Sequence, residues 1–150
     1  MMNHRTKKYA SLMAALWPVG ALSGCGEDPD ELPAFDSLQA TYQAVDEVVD
    51  CSDDAREPAG KRTISGGSTG ESVMCTSTVE VLWLDDDEAR QDVYDLLTDT
   101  AGDGGSVYFA EGRNWFVADG AEVMVGAVPE RSIDMEQLAD ALGARYTVER

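Results

Sequence analysis

Histidine is almost missing from this chain. His4 is the single imidazole in 150 residues. Beyond Cys25 there is none, so that portion can hold neither a Ser-His-Asp nor a Cys-His catalytic centre. It also lacks any zinc site that uses histidine. No Gly-x-x-x-x-Gly-Lys-Ser/Thr loop and no Gly-x-Gly-x-x-Gly turn occurs, which leaves no phosphate-cradling motif. Cysteine is limited to Cys25, Cys51 and Cys75, with no Cys-x-x-Cys pair to act as a redox catalyst. Positive charge is scarce as well, at 11 Lys and Arg against 29 Asp and Glu. All 29 acids lie after Cys25 beside only eight basic residues, so residues 25–150 carry a net charge of −21. Nucleic acid is disfavoured as a partner, because phosphate contacts need clustered Lys and Arg. Anionic headgroups would repel such a domain too, so any membrane attachment must come from something other than its surface charge.

What remains is informative at the N-terminus. Arg5, Lys7 and Lys8 open the chain, and Tyr9 to Leu22 follow without charge. That apolar stretch has 14 residues, against about 20 for a helix that spans a bilayer. Pro18 would disturb a helix there. A basic start, a short apolar stretch and small residues before a cut make an export signal.

Leu22, Ser23, Gly24 and Cys25 then stand in sequence. This segment resembles the lipobox of bacterial lipoprotein precursors. The resemblance covers residues 1–25 only and implies several things. Leu22, Ser23 and Gly24 are recognised by the processing enzymes, and the Cys25 thiol receives a diacylglyceryl group. Residues 1–24 are cleaved off, and the new amino group is acylated by a fatty acid such as palmitate. The implied address is the outer side of a cell membrane or the cell envelope. Two or more acyl chains anchor stably where one binds marginally, at ~0.8 kcal/mol per buried CH₂. Residues 25–34 are acidic and contain proline, which suits a tether. The lipid on Cys25 is the only non-protein group expected.

Residues 35–150 read as one small α+β domain. Phe35, Leu38, Tyr42, Val45 and Val49 predict a helix from about Asp36 to Asp50. Ser52 to Ser72, rich in Gly, Ser and Thr, predicts a loop. Lys61 and Arg62 within it could dock an anion or simply be solvated. Val73 to Leu84 alternates and predicts one long strand, with Leu82 and Leu84 suggesting cover on both faces at its end. Asp85 with Glu88 reads as a capping box for a second helix ending near Thr100. Three short apolar runs, 106–110, 114–118 and 121–125, predict a meander, with Asp119-Gly120 as a type I′ turn. Asp134 to Gln137 caps a third helix that Gly143 ends, and Tyr146 to Val148 reads as a short strand or docked tail. The expected order is α-β-α-β-β-β-α, with an antiparallel sheet of about four strands and helices on one face.

With Cys25 acylated, Cys51 and Cys75 remain and are expected to pair in an oxidising compartment. The bond would pin the first helix to the sheet.

Three functional readings stay open. The first is a non-catalytic binding or accessory module of the envelope, taking an envelope protein or carbohydrate through an aromatic surface at Tyr108 and Trp115. The second is a carboxylate-based hydrolase acting on envelope carbohydrate, with Glu111 and Asp119 as the pair that could face a cleft. The third is a structural envelope protein without a specific ligand. A calcium loop at Asp99 and Asp103 fits poorly, because its twelfth position is Ala110, with Glu111 one residue further on. No metal site is therefore expected, and the first reading makes the chain not an enzyme.

Overall fold

A computed structural model of the chain describes residues 31–52, 60–63, 69–101, 104–124, 130–131 and 133–150. Leu22, Ser23, Gly24 and Cys25 lie outside the described residues, as do Asp103 and the end of the 121–125 run. Helix α1 spans Leu38–Val49, followed by strands β1 (Gly60–Thr63), β2 (Thr69–Met74) and β3 (Val79–Leu84). Helix α2 is Asp87–Ala101, then come β4 (Val107–Glu111), β5 (Trp115–Asp119) and a 3₁₀ turn over Ala121–Val123. Helix α3, Met135–Leu142, leads into β6, Arg145–Glu149.

The helix ends follow local chemistry. Ser37 caps α1 by accepting from the Ala40 N–H at 3.2 Å, and Asp50 closes it with a left-handed φ of 55°. The Asp134 side chain accepts from the Gln137 N–H at 3.0 Å, and Gly143 ends α3 at φ 65°, as its sequence position predicts. In α2 the side chain that accepts is Asp86, from Ala89 N–H at 2.7 Å, one residue later than the expected Asp85 cap.

The strands form one antiparallel sheet in the order β1-β2-β3-β5-β4-β6. The α+β class and antiparallel pairing agree with the sequence reading, but six strands stand where about four were expected. The helices also divide between the faces. Leu38, Tyr42 and Val45 of α1 and Met135 and Leu138 of α3 pack on Val79, Val81, Trp115 and Val117. Ala89 and Val93 of α2 pack on the other face, against Leu82, Leu84, Phe109 and Phe116. All five residues of β5 are accordingly buried. The cover on both faces that Leu82 and Leu84 suggested is α2.

Three local readings are corrected. The segment Ser52 to Ser72, expected as a loop, holds β1 and the start of β2, paired with each other. The predicted long strand is a hairpin, β2 and β3, turning at Cys75–Thr78. Thr76 Oγ1 accepts from the N–H groups of Thr78 and Val79, and the Cys75 N–H donates to Val79 O. A threonine that favours a strand by shape here closes a turn by its hydroxyl. The apolar alternation survives because Val73 pairs with Val81, so both still face α1. The Asp119-Gly120 hairpin is absent. Asp119 Oδ1 accepts from the Ala121 N–H at 3.1 Å and starts the 3₁₀ turn instead. Gly120 has φ −100°, whereas a type I′ turn needs positive φ at both central residues.

Candidate functional site

Trp115 is fully buried on the α1 side of the sheet. Its Nε1–H donates to Pro33 O at 3.0 Å, and its ring lies 5.3 Å from that of Phe35. Tyr108 is half-buried at the other end of the neighbouring strand. Its hydroxyl donates to Glu122 Oε1 at 2.6 Å, and the Arg131 guanidinium lies 3.6 Å over its ring. The expected aromatic surface is therefore not formed: Trp115 is core, and Tyr108 is covered by an arginine. Alternation puts some aromatics of the hairpin inward and some outward, and α1 and α3 cover the face that carries Tyr108 and Trp115.

Glu111 and Asp119 do not converge. Glu111 points to the α2 side, where it accepts from Arg90, from Arg145 at 2.8 Å and from Thr147. Asp119 points to the α1 side and pairs with Arg131 at 3.2 Å. Two carboxylates on opposite sheet faces cannot flank one glycosidic bond. Beside Glu111, the Tyr94 hydroxyl is held well above the usual phenol range, first by burial and then by its 2.6 Å bond to Glu149. The Glu122 carboxyl is held below the usual carboxylate range, first by the Tyr108 hydroxyl. Both clusters are satisfied internally. Among the described residues no group of three or more His, Cys, Asp or Glu is placed to hold a metal ion.

The expected disulfide is present, with Cys51 bonded to Cys75 at a Cα–Cα distance of 4.7 Å. It joins the end of α1 to the β2–β3 turn. The Ser52 N–H donates to Cys75 O beside it, at 2.9 Å.

The site with open space lies elsewhere, on the α2 side where the sheet outruns that helix. A cavity of about 220 Å³ opens at the β2–β3 turn and the 3₁₀ turn. Met74, Leu97, Val107, Ala118, Val123 and Met124 make its walls. Ser77, Thr78 and Glu80 are its polar side chains. Met124, at its rim, is one of two large apolar side chains that stand exposed among the described residues. Thr78 is 7% exposed, and its Oγ1 has no hydrogen-bond partner among the described residues. Its backbone groups are used, the N–H by Thr76 and the C=O by Gly120.

A second hollow of about 180 Å³ between α1 and α3 is lined by Val48, Val49, Ile133 and Asp134. Asp134 there is already committed to capping α3. Sequence reasoning missed the cavity at Thr78, since no periodic signal links side chains so far apart in the chain. The polar run Thr76-Ser77-Thr78 was the nearest hint. Comparison with family models, with curated proteins and with solved structures finds no match for this chain.

Proposed function

We propose that this chain is an exported bacterial lipoprotein, held at the envelope through a lipid on Cys25, whose folded domain is a non-catalytic binding module. The observation that carries the binding part is the cavity of about 220 Å³ walled by Met74, Leu97, Val107, Ala118, Val123 and Met124. Pockets that take small molecules are mostly apolar with a few placed polar groups. The anchoring part rests on Leu22 to Cys25 and on the acidic segment after them. Among the described residues no helix is long and apolar enough to cross a membrane.

The geometry is compatible with an anchored receptor. Residues 33–35 are pinned to one end of the sheet. The Phe35 N–H donates to Asn114 Oδ1, Asn114 Nδ2 and Trp83 Nε1 donate to Phe35 O, and the Arg113 N–H donates to Pro33 O. The cavity opens at the other end of the same strands, beside Thr78 and Gly120. β3 has six residues between these ends, about 17 Å at strand rise. A chain tethered before Pro33 thus holds the cavity away from its attachment point.

Two measurements test this. Intact mass of the protein from the membrane fraction should show a chain beginning at Cys25 with added acyl mass. Release of a Cys25→Ser variant is expected, and its retention would disprove the anchor. Native mass spectrometry after incubation with an organic extract of cell envelopes should show ligand adducts. They should be absent from Ala118→Leu, which fills the cavity, and a wild-type protein without adducts would refute the binding module.

A further inference from the structure

Beyond the binding reading above, and independently of it, we propose that β6 is a dimerisation edge: a second copy of this chain pairs with it antiparallel, Thr147 opposite the partner's Thr147 on a two-fold axis, so that two sheets run into one.

An edge strand offers its outer N–H and C=O groups to any chain that can pair with them. β6 stands last in the sheet order and is bonded to β4 on one side. Among the described residues no strand pairs with its other side. All five of its residues keep partial exposure. Several devices that blunt such an edge are missing. Residues 145–149 hold no proline and no lysine, and the β4–β6 register runs without a bulge. The two charges on the strand are of opposite sign, Arg145 and Glu149.

Those charges decide the occupant. Arg145 and Glu149 are four residues apart, so strand alternation puts them on one face with Thr147 between them. It is the α2 face, where Arg145 and Thr147 reach Glu111 and Glu149 accepts from Tyr94. Tyr146 and Val148 alternate to the opposite face, where Tyr146 packs against the core under α1 and α3. A copy of the strand laid antiparallel about Thr147 matches it throughout. Arg145 meets the partner's Glu149, Tyr146 meets the partner's Val148, and Thr147 meets its own counterpart. Unlike charges, an aromatic with a β-branched side chain, and two threonines are all cross-strand pairs that stabilise an antiparallel ladder. The two-fold makes each unlike pair occur twice. Moving the centre to Tyr146 or Val148 unpairs two residues of each strand and parts the charges.

The intramolecular bonds leave room for these pairs. The Arg145 side chain is 38% exposed, and a guanidinium has more N–H donors than its Glu111 bond uses. A carboxylate such as Glu149 accepts more hydrogen bonds than the one from Tyr94. A ladder this short buries less than the roughly 1,200 Å² of a stable interface, so the dissociation constant is on the order of 0.1 mM. The net charge of −18 opposes association. At about 0.15 M salt the Debye length is about 8 Å, which screens distant charges more than the opposed pairs.

The test uses the full chain carrying Cys25→Ser, so that neither a lipid nor a third thiol interferes. Sedimentation equilibrium up to about 1 mM should show monomer and dimer and nothing larger. A chain that stays monomeric overturns the inference. So does an open polymer, because a heterologous contact such as β6 on the next copy's β1 would propagate. Oxidation of Thr147→Cys should link two copies through residue 147, since directly opposed Cα atoms lie about 4.5–5.5 Å apart. Val148→Cys should not link to itself, because its copy is a diagonal neighbour beyond about 7 Å. Equal linking of the two variants, or none by Thr147→Cys, overturns the register. Glu149→Lys and Arg145→Glu should each weaken self-association at least about tenfold, through like charges opposed twice. Mixed together they should form a heterodimer, and a mixture that stays monomeric overturns the pairing. Where either charge variant fails to fold, the two cysteine variants decide.

Discussion

Glu111 and Asp119 meet arginines on opposite faces of one sheet: Arg90 and Arg145 meet Glu111 on the α2 side, and Arg131 meets Asp119 on the α1 side. Both carboxylates are almost fully buried. The Glu111 cluster ties α2 to β4 and β6, beside the Tyr94–Glu149 hydrogen bond and the β4–β6 ladder. Removing one partner of a buried ion pair strands the other charge. Glu111→Leu should therefore lower stability by about 3 kcal/mol. The double change Glu111→Leu with Arg90→Met should recover part of that loss, since no guanidinium of α2 is then left unpaired. Urea unfolding of the two variants measures the difference.

Trp115 and Gly112 form a second coupled pair. A Cβ built on Gly112 would lie 2.0 Å from Trp115 Nε1 and 2.6 Å from Pro33 O. Gly112→Ala must therefore displace the indole or the 33–35 segment and should cost about 1–3 kcal/mol. Trp115→Ala removes a fully buried ring and should cost about 3–5 kcal/mol. Neither change should weaken ligand binding in molecules that stay folded, because the cavity lies at the opposite strand ends. Calorimetric unfolding with a ligand titration separates the two effects.

The Cys51–Cys75 bond closes a sequence separation of 24 residues. A loop of that length stabilises by about 3 kcal/mol through the unfolded state. Total stability of such a domain is about 5–15 kcal/mol. Reduction, or Cys51→Ser with Cys75→Ser, should lower the thermal midpoint clearly and loosen the β2–β3 turn beside the cavity. Hydrogen exchange at Thr76 to Val79 should rise in the reduced protein, and unchanged protection there would contradict this.

The Tyr108–Glu122 bond sets a pH dependence with two limbs. Glu122 titrates below its usual value of 4.5 in the folded protein, with the Tyr108 hydroxyl the largest cause. The unfolded chain therefore takes up this proton first as pH falls. The contribution is present above about pH 4.5 and is lost as pH drops through the lower folded value. Tyr108 is raised above 10.0, again mainly by this hydrogen bond. Its contribution is complete below pH 10 and is lost as pH rises through the folded value. Tyr108→Phe should flatten both limbs of a stability-against-pH profile. A profile that keeps its acid limb unchanged would remove Tyr108 from that role.

The linear chain by itself determined the helix stripes, their caps at Asp134 and Gly143, the α+β class and the choice of Cys51 with Cys75. Each depends on neighbours within a turn or two or, for the cysteines, on the expectation that Cys25 is acylated and leaves two to pair. It did not determine the hairpin inside Val73 to Leu84, because Thr76 suits a strand by shape and a turn by its hydroxyl, and the local pattern is the same. Nor did it reveal that α2 crosses to the face opposite α1 and α3. A buried strand such as β5 reads as apolar whichever helix covers it. Tertiary packing alone decided that Trp115 is core, that Glu111 and Asp119 are separated by the sheet, and that Met74, Leu97, Val107 and Met124 meet around an open space. Those outcomes depend on which distant surfaces meet, and no local pattern in the chain records that.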